Sequence, residues 1–234
     1  SVLQIECVKI HGSGQITITG NQGNVMKESA QVAKTVAINL LEKYKYNTSN
    51  LKELDIHIHV PDGSTPKDGP SAGITMLTAI FSCLSNIAVK PKIGMTGEIT
   101  LTGRVTAIGG LKEKMLAGIR QGIKTFILSE QNRKDFIHLI ENEEKSLSIQ
   151  NSKFNNNQTN SLPHANIWKE IEVIFAKNGK EVLDNALVKK LGVPDVTNES
   201  LEDKNNKSKL KQNKSKTISY ALSLILFLIR IYIS

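Results

Sequence analysis

Residues 54–84 read LDIHIHVPDGSTPKDGPSAGITMLTAIFSCL, and the organisation of the chain turns on this stretch. In its first seven residues Ile56, Ile58 and Val60 alternate with Asp55, His57 and His59, which predicts a strand with one apolar and one polar face. A loop rich in Gly and Pro follows at once. From Ser71 onward, Ile74, Leu77, Thr78, Phe81 and Leu84 recur at helical spacing, which predicts a helix from Ser71 to about Asn86. A serine placed there stands beside the unpaired N–H groups of a helix start, the donors an oxyanion would use. The same serine is also an ordinary helix N-cap, with Gly69, Pro70 and Gly73 serving the turn. Spacing alone leaves both readings open.

Working toward the N-terminus, residues 2–19 alternate apolar and polar and carry Gly12 and Gly14 as turn signals, which suits a β-hairpin. Asn24 stands where a cap belongs. After it Met26, Ala30, Ala33, Val36, Ala37, Leu40, Leu41 and Tyr44 describe an amphipathic helix over 25–44. In the other direction MTGEITLTGRVTAIGG, residues 95–110, alternates and breaks at Gly103, a second hairpin. Helices are expected at 111–121, 133–140, 167–175 and 182–191, and a strand at 125–128. The result is an α/β (α+β) domain over residues 1–193, with a mixed β-sheet and flanking helices.

Within that domain residues 141–163 are rich in Asn, Ser, Lys and Glu, include SKFNNNQTNS, and are expected to be a mobile low-complexity insertion. Residues 194–216 form a basic polar linker expected to lack structure, and residues 217–234 an apolar tail containing ALSLILFLI and interrupted by Arg230. A spanning helix needs about 20 apolar residues. The tail is shorter, so a segment without a catalytic role is preferred over a membrane anchor.

Charge follows the same division. The 234 residues carry a formal net charge of +8. Half of it lies beyond residue 195, where seven Lys and Arg stand against three Asp and Glu. A nucleic-acid reader concentrates basic residues on its folded face, and this chain concentrates them in its tail. Two cysteines, Cys7 and Cys83, are too few for a disulfide framework and fit a reducing compartment. No C-x-x-C or His-Glu-x-x-His pattern points to zinc, and no G-x-x-x-x-G-K-[ST] loop is present to hold a nucleotide. The chain opens SVLQIECVKI, without an initiating Met or a leader pattern, and so reads as part of something longer.

A serine nucleophile needs a base. GGLKEK, residues 109–114, offers two lysines on a helix with Leu111, Met115, Gly118 and Ile119. At 100° per residue both Lys112 and Lys114 fall beside apolar positions, so periodicity does not choose between them. Either would need burial to bring its pKa from about 10.4 toward 7 to 8.

NVMKESAQ, DIHIHVPDGSTPKDGPSAG, MTGEITLTGRV, IGGLKEKMLAG and GIKTFILSEQNRKD, in this order and spacing across about residues 20–135, resemble the blocks of the proteolytic domain of Lon, the ATP-dependent serine protease family. The resemblance implies the Lon proteolytic fold and an endopeptidase acting on unfolded or damaged proteins through a Ser-Lys dyad. Ser71 matches the nucleophile position and Lys114 the base. Thr96 matches a residue that supports the lysine. Asp68 matches the acid before the nucleophile, in a loop that differs between active and inactive forms, where a carboxylate could hold Lys114 protonated and idle. His57 and His59 match as well and are read as structural, and Glu98 as a hairpin salt-bridge residue. The same resemblance implies a homohexamer and an ATPase module upstream in the same chain. ATP and Mg2+ would bind there, with no cofactor or metal in this domain. Lys- and Asn-rich loops suggest an AT-rich genome and a mitochondrial matrix, with a bacterial-type cytoplasm as the alternative.

Two other classes compete. Residues 69–73 satisfy G-x-S-x-G, the nucleophile elbow of α/β-hydrolases, which requires a strand running directly into the serine. About ten residues, including Pro61, Pro66 and Pro70, intervene here. Alternatively the domain is a non-catalytic oligomerisation or nucleic-acid-binding module, its tail lysines making weak phosphate contacts.

Overall fold

The computed structural model describes residues 2–61, 68–153 and 167–192, with side chains of the helix ending at Lys153 described as far as residue 145. The elements in chain order are β1 (Glu6–His11), β2 (Ile16–Thr19), α1 (Asn24–Lys43), β3 (Leu54–His59), α2 (Gly73–Ser85), β4 (Ile93–Thr96), β5 (Glu98–Ile99), β6 (Val105–Thr106), α3 (Leu111–Arg120), β7 (Thr125–Ser129), α4 (Arg133–Lys153), β8 (Glu172–Ala176) and α5 (Gly179–Ala186). The architecture is mixed α/β. The linker at 194–216, the tail at 217–234 and residues 154–163 of the expected insertion lie outside the described residues, as does the expected boundary at 193.

The predicted N-terminal hairpin does not form. β3 lies between β1 and β2, antiparallel to β1 and parallel to β2. Alternation says which face of a strand is apolar, not which strand pairs with it. What decides here is Asp55 in β3, whose Oδ1 accepts the N–H groups of Ser13 (2.8 Å) and Gln15 (2.7 Å) and holds the β1–β2 connection splayed around the central strand. Those backbone hydrogen bonds draw the Asp55 carboxyl below its ordinary range. Ile56, Ile58 and Val60 are buried, as the alternation predicts.

β4, β7 and β8 form a second, wholly parallel sheet in the order β4-β7-β8, and β5 pairs with β6 in a short antiparallel ladder. The predicted second hairpin is therefore split. Its first strand joins the parallel sheet, and only Glu98–Ile99 turns back on Val105–Thr106. The expected helix at 167–175 is also corrected: after a 3-10 turn at Ile167–Lys169, residues Glu172–Ala176 form β8. EVIFA is short and rich in β-branched and aromatic residues, and pairing with β7 settles an ambiguity that a short apolar run leaves. The insertion expected from residue 141 begins instead as helix, since α4 continues to Lys153. α5 starts at Gly179, capped by the Asn178 side chain, and ends earlier than the pattern suggested.

α2 is the pivot of the main core. Its residues from Gly73 through Cys83 are all buried, including Ile74, Leu77, Ile80 and Phe81, as a helix with apolar side chains all round must be. α1 packs on it with Ala30, Ala33, Val36, Ala37 and Leu41. A second core holds Leu111, Met115, Ile123, Phe126 and Leu128 between α3 and β7. Gly118 permits that approach, because a Cβ there would stand 2.7 Å from the Phe126 ring. Among the described residues no helix is long and apolar enough to cross a membrane.

The Asp55 bracket has a measurable signature. A carboxyl with a depressed pKa stabilises the fold above its unfolded value of about 3.9 and loses that contribution as pH falls through the folded value. Thermal denaturation is expected to give Asp55→Ala a lower Tm than the native chain at pH 7, with the gap narrowing only once pH falls below about 3.9.

Candidate active site

Ser71 lies in a 3-10 turn, Pro70–Ala72, one turn ahead of α2, rather than in the first turn of the α-helix itself. β3 ends at His59, so no strand runs into the serine and the hydrolase elbow is not formed. Instead the turn is anchored to the segment leaving β4. The N–H of Gly97 donates to the Ser71 carbonyl at 2.9 Å, and the N–H of Ile74 donates to the Gly97 carbonyl at 3.1 Å. Gly73 allows this close seating, since a Cβ there would meet the backbone N of Ile99 at 2.7 Å.

Thr96 joins the same anchorage. Its side chain, 5% exposed, donates from Oγ1 to the Ser71 carbonyl at 3.2 Å. Its hydrogen is thus engaged with the backbone of Ser71 itself, and the hydroxyl oxygen retains acceptor capacity.

The two lysines of GGLKEK have different surroundings. Lys112 is exposed and forms an ion pair with Glu143 of α4, which raises its pKa. Lys114 is half-buried, and its ammonium makes no hydrogen bond or ion pair with another described residue. Burial alone pushes its pKa down from the ordinary lysine value. This separates the pair that periodicity could not. Helical side chains lean toward the N-terminus of their helix, and Lys114 accordingly reaches back over Gly110, the residue before α3. The ammonium and the Ser71 hydroxyl are not hydrogen-bonded to each other in this conformation.

Sequence reasoning missed the residues that hold the approach to α3. Asn132, 1% exposed, accepts the Ile108 N–H through Oδ1 and donates from Nδ2 to the Ile108 carbonyl, both at 3.0 Å. Gln131 accepts the Ala107 N–H, and Ser129 donates to the Val105 carbonyl. The available signal was the polar run Ser129, Gln131, Asn132 directly after a buried strand, where unpaired polar groups are costly.

The remaining expected residues take these places. Asp68 does not face Lys114 in a pair: its Oδ1 accepts the N–H of Met26, at the start of α1, at 3.0 Å. His57 and His59 share one partner, the Thr19 hydroxyl, at 3.0 Å from Nε2 and 2.7 Å from Nδ1 respectively. Glu98 accepts a hydrogen bond from Thr106 across the β5–β6 pair rather than joining a salt bridge. Two cavities, of about 310 and 400 Å³, open beside α4 and include neither Ser71 nor Lys114. Among the described residues no group of three His, Cys, Asp or Glu is arranged to hold a metal.

Residues 1–154 match the family model of the Lon protease C-terminal proteolytic domain. Similar proteins include the Lon proteases of Xanthomonas oryzae pv. oryzae, 48% identical over 148 residues, and Haemophilus influenzae, 50% identical over 148 residues. Each alignment covers 63% of this chain, and 17% and 18% of those proteins respectively. The Lon protease of Clostridium acetobutylicum is 45% identical over 186 residues, covering 80% of this chain and 21% of that protein. The chain thus spans about a fifth of the length of the curated relatives it matches. It belongs to the Lon protease family, and what it carries is that family's C-terminal proteolytic domain.

Proposed function

We propose that this domain hydrolyses peptide bonds of unfolded polypeptides through an acyl-enzyme on Ser71, with Lys114 as the base. The observation that carries the reading is the contrast within GGLKEK. Lys112 is held charged by Glu143, whereas Lys114 is half-buried with no acid paired to it and a lowered pKa. A neutral amine is what the reaction needs. Its Nζ takes the proton from Ser71 Oγ as the oxygen attacks the scissile carbonyl carbon, and the resulting ammonium returns a proton to the departing amine. The free amine then deprotonates the water that cleaves the ester. Thr96 fits beside this pair, its hydrogen on the Ser71 carbonyl and its lone pairs free to orient the ammonium. Backbone N–H groups around Ser71 would receive the oxyanion. Those of Gly73 and Ile74 are already committed to the carbonyls of Pro70 and Gly97.

The family supports a wider reading. In it this domain works as a homohexamer, fed unfolded proteins by an ATPase module of the same polypeptide that binds ATP and Mg2+. The bacterial relatives favour a bacterial-type cytoplasm over a mitochondrial matrix. Nucleic-acid contact through the lysine-rich linker is a separate, weaker expectation.

Hydrolysis of an unfolded peptide, followed against pH at protein concentrations that favour assembly, tests the dyad. The native rate is expected to rise with pH through a pKa below that of a free lysine, because the deprotonated form is the active one. Ser71→Ala and Lys114→Ala are each expected to lower kcat by a factor on the order of 10³ or more; hydrolysis surviving in Ser71→Ala would sink the assignment. Thr96→Val leaves the Ser71 carbonyl with one donor. It is expected to cost about 1 kcal/mol of stability by urea denaturation and to lower kcat more than it raises KM.

A further inference from the structure

Asn24 was the expected cap of α1, but the residue in the N-cap position is Gly23, which has no side chain to offer. Its backbone does not call for glycine: φ −72° and ψ 176° are extended values open to any residue. What a side chain there would have to displace is the Asp68 side chain. A Cβ at position 23 would stand 2.2 Å from Cγ and 2.6 Å from Cβ of Asp68, far inside contact distance. The carboxylate that fills this space accepts the Met26 N–H at 3.0 Å, one of the first-turn donors that a helix cannot satisfy internally. The first turn of α1 has no acidic residue of its own, so a negative charge from elsewhere in the chain is favourably placed against the helix dipole.

Gly69 shows the opposite case. Nothing lies within 4 Å of a Cβ built there, yet φ +152° and ψ 154° are values that essentially only glycine adopts. The chain therefore leaves the Asp68 anchor through a bend that only Gly69 can make, continues through Pro70 with its fixed φ, and reaches Ser71. On the far side the Ser71 carbonyl is held by Gly97 and Thr96. Two residues, Gly69 and Pro70, separate one anchor from the other.

We infer that Gly23 is a positioning residue for Ser71: by leaving space for the Asp68 carboxylate on the first turn of α1, it sets where the Ser71 hydroxyl sits. This rests on Ser71 being the nucleophile. Neither Gly23 nor Asp68 touches the reacting atoms; both act through the path of the backbone. A displacement of about 1 Å at a reacting group costs on the order of 10²-fold in rate, which is the scale of effect expected.

The test is a double-mutant cycle on the full 234-residue chain, with Gly23→Ala, Asp68→Gly and both together. Asp68→Gly is used because even an alanine at 68 would keep the Cβ that collides. Five quantities are read: the rate of Ser71 labelling by a fluorophosphonate, kcat and KM for an unfolded peptide, hydrogen exchange at the Met26 amide, and Tm. Gly23→Ala is expected to expose the Met26 amide and to slow labelling and kcat by on the order of 10²-fold, with KM changed less than about twofold. In the Asp68→Gly background Gly23→Ala should add nothing, and Asp68→Asn, which keeps the acceptor, should retain most of the labelling rate. Native-rate labelling in Gly23→Ala, or losses that simply add in the double variant, would overturn the inference. So would equal effects on kcat, KM and Tm, the mark of general destabilisation. Labelling that persists in Ser71→Ala would instead remove the nucleophile assignment on which it stands, and no labelling of the native chain counts against both.

Discussion

One exchange of backbone hydrogen bonds fixes the position of Ser71 in this structure. Ser71 accepts from Gly97, and Gly97 accepts from Ile74, so the turn that opens α2 is laid against the end of β4 much as one strand is laid against another. It is one of several ties between α2 and β4: Thr75 Oγ1 also donates to the Met95 carbonyl, and one buried core runs from α1 and α2 to Ile93, Met95 and Ile127. The exchange needs backbones to approach closely, which the small residues Gly73 and Gly97 allow. It also explains why the serine belongs to a tight 3-10 turn instead of the first turn of a regular helix. Ile74 directs its N–H across to Gly97, so the regular α2 ladder begins only after the contact is made.

The electrostatics around α3 follow from what surrounds two residues of one helix. Glu143 reaches Lys112 from α4 and keeps it a solvated cation. The environment of Lys114 withdraws water without supplying an acid, which lowers its pKa from the ordinary lysine value. A carboxylate brought to Lys114 would reverse this, as Glu143 does for its neighbour. Asp68, the nearest acid to the serine in sequence, is instead occupied on α1. Asn132 matters for the same reason of placement. It grips both polar groups of Ile108 and so determines where the segment leading into Lys114's helix starts.

The parts of the fold that were legible in the sequence are those set by local periodicity. α1, α2, α3, β3 and β7 fall where apolar spacing puts them, and the burial of Ile56, Ile58 and Val60 follows from alternation alone. Partners were not legible. Nothing in residues 2–19 announces that β3 will come between the first two strands, and Asp55, the residue that arranges it, lies some forty positions away. The cap of α1 was invisible for the same reason, coming from Asp68 rather than from Asn24. EVIFA read as helix because five residues do not establish a period. At the site, the multi-block resemblance is what named Ser71 and Lys114 as the proposed pair, while the contacts of Gly23, Gln131 and Asn132 went unread because they exist only once distant segments have met.

The placement of β3 between β1 and β2 also has a consequence for how the polypeptide is made. Neither early strand can complete its ladder until the ribosome has produced residues as far as His59, since the strand both of them require comes last. At a synthesis rate of roughly 5–20 residues per second, the apolar faces of β1 and β2 wait on the order of seconds with open edges. Unpaired edges of this kind are where nascent chains associate wrongly, so the N-terminal strands are exposed to that hazard during translation.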